Sequence, residues 1–214
     1  MKISESYRPQ SLAEIVGQPL PVAVLSGWKV SPFACCWLFR GGPGVGKTST
    51  AYAMANDLGA SESATVVPCS DLGIERAREL VRSIAYRPID GGKWSVLILE
   101  ELERLSPTCQ QFLKVALESL PPHAVVMATS NDTDLIDGAL IQRFTVLDFS
   151  SSDTFAREAN KRLAEVWNLE TGGDEPPKDL TKWGFSGGRQ FSLRLAYDKL
   201  QQQVMLRRAE MATV

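Results

Sequence analysis

Short apolar runs alternate with longer amphipathic segments through the first 150 residues of the chain. The apolar runs are rich in valine, isoleucine and leucine and are bounded by turn residues, which is typical of buried strands. They predict five strands, at about residues 34–39, 64–67, 94–99, 124–129 and 144–149. The segments between them have helical periodicity and predict helices over about residues 48–58, 72–85 and 107–120. This alternation predicts a doubly wound α/β domain, in which helices cover both faces of a parallel sheet.

The pattern of the chain changes after residue 149. Serines at 150–152 followed by Asp153 predict the capped start of a helix that runs to about residue 168. A glycine- and proline-rich loop is predicted at 171–177, and Gly187-Gly188 precedes a long helical segment toward the C-terminus. Because no strand is predicted here, we expect a small all-α domain at 150–214 after an α/β domain at 1–149.

The composition is that of a globular protein without a strong charge bias. The chain has 214 residues, of which 44% are hydrophobic and 22% charged, and its formal net charge is −2. These values exclude the collagen-like, disordered and disulfide-scaffold classes, and also a globally basic nucleic-acid binder. The one histidine, His123, excludes most zinc sites and any catalytic scheme that needs a second imidazole.

Cysteine spacing and the N-terminus indicate where the protein resides. Cys35, Cys36, Cys69 and Cys109 form no C-x-x-C pair, which argues against a zinc ribbon and favours buried, reduced thiols. The first residues lack the apolar core of a signal peptide, and no apolar run approaches the ~20 residues of a membrane span. We therefore expect a cytoplasmic protein.

Residues 41–48, GGPGVGKT, match the pattern G-x-x-x-x-G-K-[ST] between a predicted strand and a predicted helix. Glycines let successive backbone N–H groups turn toward phosphate oxygens, and the following helix adds the positive end of its dipole. Lys47 can reach the β- and γ-phosphates, and the Thr48 hydroxyl can bind Mg²⁺. The predicted phosphate-binding residues are Gly42, Pro43, Gly44, Val45, Gly46, Lys47, Thr48 and Ser49. The alternative is a glycine-rich turn that carries a surface lysine.

Two carboxylates, Glu100 and Glu101, follow the apolar strand at 94–99. A strand that delivers acids beside a phosphate-binding loop supplies what Mg²⁺ binding and water activation require. The alternative is a solvated acidic turn, since Glu103 and Arg104 come next.

Several further segments occur in one order along residues 5 to 150. They are the Tyr-Arg-Pro of 7–9, the Ile-Val-Gly-Gln of 15–18, the Cys-Ser-Asp-Leu-Gly-Ile-Glu of 69–75 and the Leu-Glu-Ser-Leu-Pro-Pro-His of 117–123. With the phosphate loop and the two carboxylates, they resemble clamp-loader subunits of the AAA+ ATPases, namely replication factor C small subunits and bacterial DnaX. The resemblance implies an AAA+ fold, a five-stranded parallel sheet flanked by helices and followed by a helical lid, with ATP and Mg²⁺ as cofactors.

The resemblance also assigns roles to individual residues. It places Tyr7, Arg8, Pro9, Val16, Gly17 and Gln18 on the adenine side of the nucleotide. Thr48 and Glu100 match the Mg²⁺ residues, and Glu101 matches the carboxylate that positions the attacking water. Asn131 matches the sensor-1 residue near the γ-phosphate, although an asparagine that caps the end of a strand is the alternative.

Three more positions match family residues with roles beyond the phosphates. Arg143 lies where clamp loaders carry an arginine finger, which acts on a neighbour's nucleotide and implies an oligomer of identical or homologous subunits. Gln110 matches a glutamine that links DNA contact to hydrolysis, with an ordinary helix-surface glutamine as the alternative. Arg189 best matches the sensor-2 arginine of the lid, and Arg194 is the alternative.

The resemblance places duplex DNA inside a ring of subunits. Arg78 and Arg82 share one helix face, since they are four residues apart, and Lys114 lies on the next helix. Such residues would contact phosphates without reading sequence. The alternative is a solvated face, because Glu75 and Glu79 lie beside the arginines and could pair with them.

The implied function is that of an oligomeric ATPase that acts on a sliding clamp and primer-template DNA. Three departures qualify the resemblance: Glu100 replaces the usual aspartate, Gln142 and Phe144 flank Arg143, and the chain ends at Val214, about where the lid ends and before the helical collar. Two alternatives follow. One is an ATP-dependent assembly scaffold with weak hydrolysis, and the other is a loader or remodeller of a helicase or recombination protein.

Overall fold

The five predicted strands form one parallel sheet. The computed structural model describes residues 2–88, 91–185 and 190–212. The strands are β1 (Cys35–Arg40), β2 (Thr65–Pro68), β3 (Ser95–Glu100), β4 (Ala124–Ser130) and β5 (Thr145–Asp148). Their order in the sheet is β2-β3-β4-β1-β5, and every neighbouring pair is parallel. The predicted α/β architecture is confirmed.

Helices lie on both faces of this sheet. Those in the described residues are α1 (Ile3–Ser6), α2 (Pro19–Val30), α3 (Lys47–Asp57), α4 (Ile74–Ile84), α5 (Pro107–Ala116), α6 (Gly138–Ile141), α7 (Asp153–Thr171) and α8 (Leu193–Ala212). On one face Trp37 and Phe39 of β1 belong to the same hydrophobic cluster as Met54 of α3. On the other face Leu38 packs in a cluster with Leu80 of α4 and residues of α5. Burial of both faces explains why the three central strands, β1, β3 and β4, are largely apolar runs.

The chain order of the strands concentrates loops at one edge of the sheet. β1 lies between β4 and β5, whereas β2 and β3 lie on the far side of β4. All strands of a parallel sheet have their carboxyl ends at the same edge. A crevice forms at that edge where the strand order reverses. The segments that follow β1, β3 and β4 therefore meet, and they begin at Gly41, Glu101 and Asn131.

Helices α7 and α8 form the C-terminal part of the fold. The Ser152 hydroxyl accepts a hydrogen bond from the Phe155 backbone N–H at 3.2 Å and caps the start of α7. Gly172, with a φ of 75°, caps its end. Buried side chains of α7 and α8 share the hydrophobic cluster on the α3 face of the sheet. The N-terminal α1 also contacts α8, since the backbone N–H of Ile3 donates to Gln201 Oε1 at 2.8 Å. Division of the chain at residue 149 stays a prediction.

The helix bounds differ from the sequence-based ones in two informative places. α2 was not predicted, because PLPVAVLSGWKV has only two polar side chains and hence no amphipathic period. Its N-terminal signal is Pro19, whose fixed φ suits the first turn of a helix. α4 begins at Ile74 rather than 72, because a 3₁₀ turn at Cys69–Asp71 and extended residues at 72 and 73 precede it. None of the helices within the described ranges is long and apolar enough to cross a membrane.

Candidate nucleotide-binding site

The loop between β1 and α3 forms a cradle of backbone N–H groups. Gly44 and Gly46 have φ values of 74° and 100°, a region in which only glycine is unstrained. Gly46 is also the N-cap of α3, and no side chain caps the first-turn N–H groups of that helix. Uncapped N–H groups and the positive end of the helix dipole together make a binding site for anions such as phosphate.

Lys47 lies at the centre of this loop. Its Nζ donates hydrogen bonds to the carbonyl oxygens of Gly41 at 2.6 Å and Gly42 at 2.7 Å, and to Asn131 Oδ1 at 2.9 Å. The side chain is 7% exposed. The structure therefore brings the predicted phosphate-binding lysine and the predicted sensor asparagine into direct contact.

A cavity of about 510 Å³ opens beside this cradle. Its walls come from the N-terminal segment, from the loops at the carboxyl edge of the sheet, and from α7 and α8. The predicted site residues that line it are Tyr7, Arg8, Pro9, Val16, Pro43, Gly44, Gly46, Lys47, Thr48, Ser49, Glu101 and Asn131. The volume lies within the range of roughly 300–1,000 Å³ that small-molecule and cofactor sites occupy.

Four other predicted residues support the cavity without lining it: Gly17, Gln18, Gly42 and Val45. The buried Gln18 amide donates to the carbonyl oxygens of Val45 at 3.1 Å and Ser150 at 2.9 Å, and it accepts from the Ser150 N–H at 3.2 Å. Gln18 thus ties the phosphate loop to the start of the C-terminal segment. Gly17 has a φ of 62°, and a Cβ there would lie 2.4 Å from the backbone of Phe155.

The two carboxylates that follow β3 have different surroundings. Glu101 lines the cavity in a left-handed backbone conformation with a φ of 58°, and its N–H donates to Thr129 Oγ1 at 3.2 Å. Its carboxylate pairs with the Arg104 guanidinium at 2.5 Å. Glu100 is half-buried and does not line the cavity. Burial, together with the negative charge of Glu100, raises the pKa of Tyr52, which lies one turn beyond Thr48 on α3.

Helix α8 contributes an arginine to the cavity. Its first residue, Leu193, donates a backbone hydrogen bond to Gly44 O at 3.0 Å, so the helix begins against the phosphate loop. Arg194 lines the cavity, and its positive charge contributes to lowering the pKa of Lys47. Of the two arginines considered for sensor 2, Arg194 is therefore at the site, whereas Arg189 lies outside the described residues.

Burial is the main cause of a low pKa at Lys47. It lowers the pKa to about 8, with Arg194 acting in the same direction and the carboxylates of Glu103 and Glu101 opposing it. Without a bound anion, Lys47 therefore carries a charged ammonium below about pH 8 and a neutral amine above it.

We expect nucleotide affinity to fall as the pH rises above 8. Phosphates favour the charged lysine and raise its pKa in the complex, so above about pH 8, the pKa of Lys47 in the protein alone, nucleotide binding takes up a proton. The loss is up to about tenfold per pH unit. ATP titrations from about pH 6.5 to 9.5 measure it, with the always-charged Lys47→Arg variant expected to give a flatter profile. A wild-type affinity that stays constant through pH 9 contradicts the expectation.

Arg143 and Gln110 also lie away from this cavity. Arg143 Nε donates to the Lys114 carbonyl at 3.3 Å, and its guanidinium pairs with Glu118 at 3.2 Å. Gln110 is only 5% exposed, so it is not the helix-surface glutamine of the alternative. Its amide bonds to Leu105 O, Leu135 O and Asp137 N. It joins the segment after β3 to the segment after β4.

The candidate DNA-contact residues lie on two adjacent helices. Arg78 of α4 pairs with Glu75 at 2.7 Å, as the solvated-face alternative expects. Arg82 is exposed, and in the part of the chain that the structure describes it has no ion pair. Lys114 of α5 donates to Gln111 Oε1 at 2.5 Å and is half-buried.

Sequence reasoning gave no role to Glu103, which the structure connects to the site. Glu103 Oε1 accepts hydrogen bonds from the backbone and side-chain nitrogens of Asn131, both at 3.1 Å. A glutamate two positions after Glu101 carries no signal of its own, because its partner lies 28 residues further along the chain.

Residues 37–151 match the ATPase family associated with various cellular activities (AAA). The chain belongs to this family. AAA membership implies nucleotide binding, usually with Mg²⁺, and the cradle around Lys47 has the donors that this requires. Among the residues that the structure describes, no cluster of three or more histidine, cysteine or acidic side chains could hold a metal by itself.

The chain is homologous to clamp-loader subunits. It is 30% identical over 171 residues to a replication factor C small subunit of Archaeoglobus fulgidus, which covers 78% of this chain and 53% of the relative. It is 25% identical over 198 residues to the DNA polymerase III subunit tau of Escherichia coli, and this alignment covers 81% of this chain and 30% of the relative. The resemblance to this group is thereby confirmed, and the chain spans about half or less of these relatives.

A solved structure of another protein has the same fold. The P216G mutant of RuvB from Thermotoga maritima aligns with a TM-score of 0.65 at 19% identity, over 91% of this chain and 64% of that one. At this identity the likeness concerns the fold alone, and it extends into the C-terminal helices.

Proposed function

We propose that this chain is an ATP-hydrolysing subunit of a clamp-loader-like assembly. One observation supports the ATPase part above all: Lys47, Asn131, Glu101 and Arg194 come from four separate segments and surround a single cavity. Such a cavity offers a cation for phosphate, a polar sensor and a carboxylate for the attacking water. The homology to clamp-loader subunits supports the assembly part.

The N-terminal segment and the phosphate loop would bind different parts of the nucleotide. Tyr7, Arg8 and Pro9 line the end of the cavity proposed for adenine, and the loop at 41–46 with the start of α3 would bind the phosphates. Thr48 and Glu100 offer hard oxygen donors, which suit Mg²⁺ bound chiefly through nucleotide phosphates. When bound, Mg²⁺ would neutralise charge that develops on the phosphate oxygens.

Arg143 would serve a neighbouring subunit. It does not line the cavity of its own chain, and its guanidinium is held at the surface by Glu118. A guanidinium that completes another subunit's site requires an oligomer of identical or homologous chains. Arg78, Arg82 and Lys114 are proposed to contact primer-template DNA through its phosphates, in an assembly that acts on a sliding clamp.

ATP turnover in the presence of partners tests this function. We expect phosphate release to rise when primer-template DNA and a sliding clamp from the same source are added together. Glu101→Gln keeps the size of the side chain but cannot act as the water-positioning carboxylate, so turnover should fall about 100-fold or more with ATP affinity retained. Wild-type turnover in Glu101→Gln, or no turnover under any condition, contradicts the proposal.

One observation favours a scaffold that assembles with ATP and hydrolyses it slowly. The Glu101 carboxylate is paired with Arg104 and thus already has a cationic partner, and Glu100 replaces the family's shorter aspartate. Tight ATP binding and ATP-dependent growth in assembly mass, with negligible phosphate release, would select this function. Stimulation by a helicase or recombination protein instead of a clamp would select the remodeller.

A further inference from the structure

Glu103, Asn131 and Lys47 form a chain of hydrogen bonds that leads from the sheet edge to the phosphate loop. Glu103 Oε1 accepts from the Asn131 backbone N–H and from Nδ2, each at 3.1 Å. Asn131 Oδ1 in turn accepts from Lys47 Nζ at 2.9 Å. Glu103 lies in a 3₁₀ turn, Leu102–Arg104, directly after Glu101.

The Glu103 carboxylate and the Lys47 ammonium permit only one orientation of the Asn131 amide. A carboxylate only accepts hydrogen bonds and an ammonium only donates them. The amide nitrogen must therefore face Glu103 and the amide oxygen must face Lys47. A flipped amide would set its NH₂ against the ammonium and its oxygen against the carboxylate.

This orientation leaves one donor of Asn131 available. The amide nitrogen carries two N–H bonds, and Glu103 accepts one of them. Asn131 lines the nucleotide cavity, so the second N–H can serve a ligand there. An anionic group such as a terminal phosphate is the partner that this donor suits.

Burial of the Glu103 carboxylate has an energetic cost, which argues against an incidental contact between Glu103 and Asn131. Its second oxygen, Oε2, is buried and has no hydrogen-bond partner among the residues that the structure describes. A buried, unpaired carboxylate oxygen is unfavourable unless other contacts compensate for it. In Glu103 those contacts are the two hydrogen bonds to Asn131.

We propose that Glu103 is the positioning residue for Asn131. By fixing the amide, Glu103 makes Asn131 able to distinguish a nucleotide with a terminal γ-phosphate from one without it. The inference rests on the proposed function, in which Asn131 contacts that phosphate. Glu103 itself touches neither the nucleotide nor the reacting atoms in this role.

A double-mutant cycle on ATP and ADP affinity tests the inference. The quantity measured is the ratio of ADP to ATP dissociation constants, by calorimetry at fixed pH, for wild type, Glu103→Ala, Asn131→Ala and the double variant. We expect each single change to lower the ratio about tenfold, the size of one lost hydrogen bond to a charged group. The double variant should match Asn131→Ala, because Glu103 acts only through Asn131.

Glu103→Gln is the matched control. Its side-chain oxygen can still accept from both nitrogens of Asn131, so its ratio should stay within about threefold of wild type. Melting temperatures without nucleotide report folding separately. A purely structural Glu103 would lower the melting temperature equally in the Asn131→Ala background, and it would leave the affinity ratio unchanged.

The possible failures are distinguishable. If Asn131→Ala lowers the ratio but Glu103→Ala does not, or if the two effects add in the double variant, the inference is wrong and the proposed function stands. If Asn131→Ala leaves the ratio unchanged, the sensor role in the proposed function is wrong and the inference falls with it.

Discussion

Lys47→Ala is expected to weaken nucleotide binding severely. Lys47 Nζ is the charged donor at the centre of the phosphate loop, and it already bonds to two loop carbonyls and to Asn131. A charge-assisted hydrogen bond is worth roughly 1.5–3 kcal/mol, and the lysine would make at least two to phosphate oxygens. Affinity should therefore fall about 100-fold or more, since each 1.4 kcal/mol is a factor of about ten.

Calorimetric titration with ATP and ADP measures the loss. Lys93→Ala is a suitable control, because Lys93 is exposed and precedes β3, at the opposite end of that strand from the site. It removes the same charge from the chain and should leave affinity unchanged. An equal loss in both variants would mean that net charge, rather than the loop, governs binding. Unchanged affinity in Lys47→Ala would overturn the assignment of the cavity.

The sheet could be predicted from sequence because of how it is buried. Strands covered on both faces are apolar at nearly every position, and 94–99 and 124–129 stand out for that reason. Hydrophobic periodicity does not detect α2, because a helix with few polar positions has no amphipathic period. Local pattern thus identified the strands and missed a helix whose packing is decided by tertiary contacts.

The phosphate loop could be predicted for a different reason. Its residues are adjacent in the chain, and glycine, lysine and threonine each perform a task there that few other residues perform.

Gln18 shows the limit of such reasoning. The resemblance placed Gln18 with the nucleotide, but both N–H groups of its amide donate to Val45 and Ser150 and its oxygen accepts from Ser150, which no local pattern reveals. Glu103 was missed because its partner, Asn131, is brought near only by the sheet.

Loss of Arg143 is expected to slow ATP turnover about a thousandfold while leaving ATP affinity within a few fold of wild type. Arginine fingers contribute a factor of roughly 10³–10⁵ because they stabilise charge that exists only in the transition state. Arg143 suits this role because it lies outside its own cavity and carries a permanent charge. Phosphate release by Arg143→Ala under saturating ATP measures the effect, and Arg76→Ala, which removes an exposed arginine that also belongs to an ion pair, is the control.

Mixing two inactive variants shows whether Arg143 acts on a neighbour. Arg143→Ala keeps an intact nucleotide cavity, and Lys47→Ala keeps an intact Arg143. If the arginine acts in trans, the finger of a Lys47→Ala subunit completes the site of an adjacent Arg143→Ala subunit, and the mixture regains turnover that neither variant has alone. If Arg143 acts within its own chain, or only anchors Glu118, no mixture recovers activity. Because recovery requires both an interface and a finger that crosses it, the experiment tests the proposed oligomer and the role of Arg143 together.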